Sequence, residues 1–162
     1  IAPARISTLN AQIGNDFWPS AVFEAGHTFH LGDKTRVRPF FEARAGVETL
    51  ARVGVDVTVG RFGLGELMVR DPVTGHRYRA IEAPKPGASW VFGGDVAYVD
   101  SSAFLPEDRG LVLTEARTRL RAGVQLQGVH NGLFYGLTYL APEFEAQLEG
   151  QVTGSLRIDF EF

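Results

Sequence analysis

Residues 154–162, GSLRIDFEF, set Leu156, Ile158, Phe160 and Phe162 against Ser155, Arg157, Asp159 and Glu161 in strict alternation. A period of two is that of a β-strand, whose successive side chains leave on opposite faces. The stretch therefore reads as one strand with an apolar face and a charged face. Which of those faces meets water decides the fold.

The same pattern runs back through the chain. Ala21, Phe23, Ala25, Phe29 and Leu31 oppose Glu24, Thr28 and His30, and Val37, Phe41, Ala43, Ala45 and Val47 oppose Arg36, Arg38, Glu42, Arg44 and Glu48. Ala51, Val53, Val55, Val57 and Val59 alternate with Arg52, Gly54, Asp56, Thr58 and Gly60, while Trp90, Phe92, Val96 and Tyr98 alternate around Asp95. Over 115–127, Ala116, Leu120, Ala122, Val124 and Leu126 oppose Glu115, Arg117, Arg119, Arg121, Gln125 and Gln127, and Leu133, Tyr135, Leu137 and Tyr139 follow. With a weaker first strand near Arg5 to Ile13, this predicts an all-β chain of about eight long strands in one β-barrel domain over residues 1–162. Gly32-Asp33-Lys34-Thr35 and Gly128-Val129-His130-Asn131-Gly132 are short enough for tight hairpins. The Gly- and Pro-rich stretch from Arg61 to Ala88 is too long for one, and predicts a short helix or an extra small strand.

Composition removes several functions. Sixteen Lys and Arg against nineteen Asp and Glu give a net charge of -3 spread along the chain, so no basic stripe faces a phosphate backbone and no nucleic acid is expected. The absence of cysteine excludes disulfides, thiol catalysis and Cys-based zinc sites. No apolar run approaches the ~20 residues of a membrane helix. No basic-then-apolar segment stands at Ile1, so the numbering is expected to begin on a processed or trimmed chain.

Alternation alone leaves two solvents open. A soluble sandwich or lipocalin-like barrel buries the Val, Leu and Phe face. An antiparallel up-and-down transmembrane barrel inverts this, with an apolar outer band, aromatic girdles and a polar lumen. Long strands, a polar face mixing Arg with Asp, Glu and Gly, and an Ala- and Val-rich apolar face favour the transmembrane barrel. Trp18, Trp90, Tyr98, Tyr135 and Tyr139 are expected towards strand ends, where such rings suit a lipid–water interface. The terminal Phe162 resembles the C-terminal signal of bacterial outer-membrane barrels. In this reading Arg157, Asp159 and Glu161 face the lumen, and Arg61–Ala88 falls on the side where barrel turns are short.

Few residues point to chemistry. His27 and His30 are three apart on a strand and therefore face opposite ways, which argues against shared metal ligation. Gly60, Gly63 and Gly65 lack the context of a phosphate loop and read as turn glycines. Asn15-Asp16 reads as a turn whose side chains cap the backbone. Glu143 and Glu145 read as rim carboxylates, with cation binding alongside Glu149 as the alternative. No nucleophile motif is present. The Arg, Asp and Glu of the polar face are expected to pair, because an unpartnered charge in a narrow lumen costs several kcal/mol.

The segments VFGGDVAYVDSSAFL (91–105) and GLFYGLTYLAPEFEAQLEGQVTGSLRIDFEF (132–162) resemble the last strands of the outer-membrane lipid A 3-O-deacylase family. RVRPFFEARAGVETLARVGVDVTVG (36–60) and QIGNDFWPSAVFEAGHTFHLGD (12–33) extend the resemblance over nearly the whole chain. It implies a twelve-stranded barrel in the outer membrane of a Gram-negative bacterium, with lipid A as partner. It also implies hydrolysis of the 3-linked acyl ester at a calcium-dependent site of an Asn-Asp pair, a His and a Glu. Aligned on Gln12-Ile13, Ala4 falls where the catalytic Glu would lie, and Asn15-Asp16 aligns in the wrong strand for the Asn-Asp pair. The resemblance thus assigns no catalytic, cofactor or metal residue, and calcium is implied by it alone. Two expectations follow: the chain is the C-terminal eight-strand portion of a longer barrel, or a shortened relative without the chemistry. A non-catalytic structural or binding outer-membrane barrel, and a soluble barrel binding an apolar ligand, are the alternatives.

Overall fold

The computed structural model describes residues 19–64, 67–81, 86–102, 116–142 and 149–160. These form β1 (Ala21–Gly26), β2 (Phe29–His30), β3 (Thr35–Ala45), β4 (Glu48–Val59), β5 (Leu67–Arg70), β6 (Arg77–Ile81), β7 (Gly87–Ser102), β8 (Ala116–Gln127), β9 (Asn131–Leu140) and β10 (Gln151–Phe160). One eight-stranded antiparallel sheet runs β1-β3-β4-β7-β8-β9-β10, with β2 also on β3, and β5 and β6 make a separate hairpin. Neighbours in this sheet succeed one another along the chain apart from that hairpin, which is the up-and-down order that β-barrels share. β1 and β10 are its edges, and no pairing among the described residues joins them.

β1 and β2 are one strand line with a gap. Gly26 lies opposite Phe40 and Phe29 opposite Val37, so the register is unchanged across the break. The residue opposite His27 is Pro39, which has no N–H to give, and only the His27 N–H to Pro39 carbonyl bond, 3.2 Å, is made there. Counted as one, the wall has seven strands among the described residues. The expected strand near Arg5 to Ile13 lies outside them, as do Trp18, Gly65, Glu115, Glu161 and Phe162.

The sheet is inside out relative to a water-soluble protein. Phe23, Val53, Trp90, Leu120, Leu156, Ile158 and Phe160 are exposed, while Arg36, Glu42, Arg52, Asp56, Asp95, Arg119, Arg121, Gln125 and Thr138 are buried. The strict alternation puts every charge of β3, β4, β7 and β8 named here on one face, and the register keeps those faces together: Glu42 opposes Arg52, and Asp95 opposes both Gly54 and Arg119. Apolar residues on the buried face are few, with Leu50, Ala97 and Val99 clustered together. Trp90 and Tyr139 lie near strand ends, but Tyr98 and Tyr135 lie further in. Register fixes which face an aromatic ring takes and leaves its depth free.

Among its described residues the 61–88 stretch contains two short strands, β5 and β6, the second of the two expected alternatives. The hairpin packs on the charged face of the wall, so a connection too long for a barrel turn is accommodated as filling. Arg119 is 5% exposed and Leu120 55%. Arg119→Leu is therefore expected to destabilise by about 3 kcal/mol, because buried Asp95 loses one of three guanidiniums and the Pro72 and Val73 carbonyls lose a donor. Leu120→Ala, which opens no packed cavity, is expected to cost under about 1 kcal/mol, against the ~2–5 kcal/mol of a buried leucine. Denaturant midpoints of the two variants in detergent measure the order.

Candidate functional site

The buried face carries one connected ion-pair network. Asp95 is held by the Arg52 Nε at 3.1 Å, the Arg119 Nε at 2.9 Å and an Nη of Arg121. Arg52 also reaches Glu42 at 2.8 Å, which Arg44 meets at 2.7 Å. Arg121 extends the network to Asp56 at 2.5 Å, Asp56 to Arg70 at 2.7 Å, and Arg70 to Glu24 at 2.7 Å, where Arg38 also pairs at 2.7 Å. Each carboxylate thus serves two or three guanidiniums from different strands. Paired this way, charges survive in an interior where a lone one would not.

Arg70 belongs to the hairpin and ties it in. Its guanidinium lies 3.7 Å over the Phe40 ring and donates to the Gly75 carbonyl at 2.8 Å. Burial alone would lower the Arg70 pKa, but the bonds to Asp56 and Glu24 outweigh it and raise it. Across the interior, Arg119 donates to the Pro72 and Val73 carbonyls at 2.9 and 3.0 Å, and the Thr138 hydroxyl donates to the Thr74 carbonyl at 3.1 Å. The connection is folded locally by Asp71, whose Oδ1 accepts from the Thr74 and Val73 N–H groups at 2.6 and 3.0 Å. The Pro72, Val73 and Thr74 carbonyls of this connection are thus met by wall side chains.

His76 is buried in this packing. Its ring meets Phe134 edge-on at 5.0 Å, and a Cβ on Gly136 would lie 2.7 Å from its Nε2, so only glycine leaves room there. Nε2 has no hydrogen-bond partner among the described residues. Burial, and then the Arg121 charge, push the imidazole pKa down to about 4, so the ring is neutral at pH 7.

Beside His76 a cavity of about 190 Å³ opens between hairpin and wall, lined by Arg36, Arg38, Arg77 and Arg121 with Asp56 and Thr58. Arg36 donates to the Gly60 and Phe62 carbonyls at 2.9 and 2.6 Å and so fixes the start of the 60–64 turn. Gly60 and Gly63 take φ of 123° and 82°, which bears out their reading as turn glycines. His27 and His30 lie on opposite faces of their strand line, as the spacing requires. Asn15-Asp16, Glu143 and Glu145 lie outside the described residues. Glu149 lies at a bend before β10. Sequence reasoning placed the arginines on one face but missed the cavity and the role of His76, because both depend on a hairpin whose docking no periodicity encodes.

Among the described residues no group of three His, Asp or Glu side chains could hold a metal ion. The interior carboxylates do not fit calcium either, since Glu24, Glu42, Asp56 and Asp95 each already hold at least two guanidiniums.

Two outcomes follow from this geometry. Asp95→Asn, nearly isosteric, is expected to lose about 3–5 kcal/mol by leaving Arg52, Arg119 and Arg121 short of countercharge, read as a lowered denaturant midpoint in detergent. The second concerns acid. His76 has a folded pKa near 4 against an ordinary 6.5, so the unfolded chain binds the proton more tightly. Stability should be full above pH 6.5 and fall as pH drops towards 4, by about 3 kcal/mol in all. A His76→Phe variant, measured over the same range, should show that limb flattened.

Neither a family model nor a curated protein matches this chain. Among solved structures the fold is similar to LpxR from Salmonella typhimurium, with a TM-score of 0.63 at 14% identity, over 88% of this chain and 51% of that one. The chain thus spans about half the length of LpxR, and at this identity the likeness is one of fold.

Proposed function

We propose that this chain is part of an outer-membrane β-barrel of a Gram-negative bacterium that associates with lipid A or another outer-membrane lipid. The observation that carries this is the inverted burial: large apolar side chains outside, ion pairs within. In water, exposing Phe23, Trp90, Tyr98, Leu120, Leu156, Ile158 and Phe160 along one wall would forfeit roughly 1.5–3 kcal/mol for each such side chain, whereas in lipid the same wall is solvated. The reading of a soluble barrel with an apolar ligand inside has no support, because the interior face is charged.

The fold likeness to LpxR and the strand resemblance to the LpxR-like lipid A 3-O-deacylase family support lipid A as the lipid. Deacylation by the whole protein is the finer form of this reading. The described residues themselves support a structural or binding role, since their carboxylates are committed to arginines and their one deeply buried histidine is packed against Phe134 and Gly136. In cell envelopes washed with concentrated urea, the protein is expected to stay with the outer-membrane fraction and to migrate faster on cold gels than after boiling. Release as a soluble species would sink the membrane reading. Calcium-dependent loss of a 3-linked acyl chain from lipid A would establish the enzyme.

A further inference from the structure

Around the cavity and the ion-pair network, the described guanidiniums outnumber the carboxylates that pair with them. Arg38, Arg44, Arg52, Arg70, Arg119 and Arg121 share Glu24, Glu42, Asp56 and Asp95, and Arg77 adds a seventh guanidinium. Arg77 has no ion pair or side-chain hydrogen bond among the described residues, although it is partly buried and lines the cavity of about 190 Å³. Burial and then the neighbouring Arg38 push its pKa down to about 10, against the pull of Asp56 and Glu24. A guanidinium in such a place is ordinarily paired, and an empty fork beside a cavity is a place for an anion.

We propose that the cavity is a binding site for a phosphate group, with the Arg77 guanidinium as its principal contact and Arg38 and the Thr58 hydroxyl beside it. Three features select phosphate. Arg77 presents a planar fork that bonds phosphate oxygens in pairs. The surplus of charge, three in the set named above, favours a dianion over a carboxylate. The volume suits phosphate with a small substituent and excludes a whole lipid. The source is either inorganic phosphate or the phosphomonoester of a lipid headgroup, which share this chemistry. The site rests on the interior packing alone and stands or falls separately from the membrane reading.

The test uses the full chain folded in octyl glucoside micelles, in a buffer free of phosphate, with inorganic phosphate titrated against chloride at constant ionic strength. Thermal unfolding of the wild-type protein is expected to shift upward and saturate with phosphate and not with chloride. Arg77→Gln is expected to fold at least as stably without phosphate, and to bind it at least about tenfold more weakly, the loss expected for a hydrogen bond to a charged group. Arg157→Gln, which removes a half-exposed pair with Asp159 on β10, should bind like wild type. If Arg77→Gln does not fold, Arg77→Lys keeps the charge, loses the fork, and is expected to weaken binding severalfold. Mixed micelles with phosphatidic acid, compared with phosphatidylcholine, separate the sources: competition with inorganic phosphate identifies a headgroup, and its absence identifies the free ion. A wild-type response that does not saturate, an equal response to chloride, or an Arg77 variant that titrates like wild type would overturn the proposal.

Discussion

Asp95 is the constraint on which the rest of the structure depends. It is buried, it stands on β7, and it meets Arg52 of β4 and both Arg119 and Arg121 of β8. Coulomb attraction between such groups grows as water is excluded, so the pairs that hold the wall together are strongest where the interior is driest. The usual division of labour is exchanged. Apolar side chains that would form a core are given to the surroundings, and the network takes over the work of fixing strand against strand.

Filling a narrow interior with arginines demands space, and the inner face supplies it by alternating large residues with very small ones. Gly54 is the clearest instance. A Cβ there would lie 2.5 Å from the Cβ of Asp95 and 2.6 Å from the Phe40 ring. The absent side chain lets Asp95 and Phe40 stand side by side, and Phe40 in turn carries Arg70 on its face. Packing density is reached here with long charged side chains and bare backbone in place of interlocking Leu and Ile.

Much of the wall was legible in the sequence, because a period of two is a local property and each strand declares its own two faces. Leu156, Ile158 and Phe160 against Arg157 and Asp159 is enough to place β10. The sign of the faces was less secure, since Val53 and Arg52 alternate identically whether the sheet stands in water or lipid. The paired Arg, Asp and Glu of neighbouring strands tilted the reading, and their network bears it out. What stayed hidden was everything set by the hairpin. Arg70, Arg77 and His76 lie in a Gly- and Pro-rich stretch without clear alternation, and their partners are distant in the chain, with Glu24 forty-six residues before Arg70. Pro39 illustrates a smaller limit: it was visible in β3, but that it leaves only one ladder bond opposite His27 needed the register.

The position of the hairpin between β4 and β7 imposes a chronology on assembly. Residues 67–76 reach back to Glu24 and Asp56, which precede them in the chain, and forward to Arg119 and Thr138, which follow. Contacts close in sequence form most readily, and the one to Asp56 spans 14 residues where those to Glu24 and Arg119 each span 46, so the hairpin settles first onto β4. It then serves as a mandrel around which β8 and β9 are laid, offering the Pro72, Val73 and Thr74 carbonyls to arriving side chains. With Arg119 and Thr138 already in place, an interior this full would leave no path for an element of that size to be threaded in afterwards.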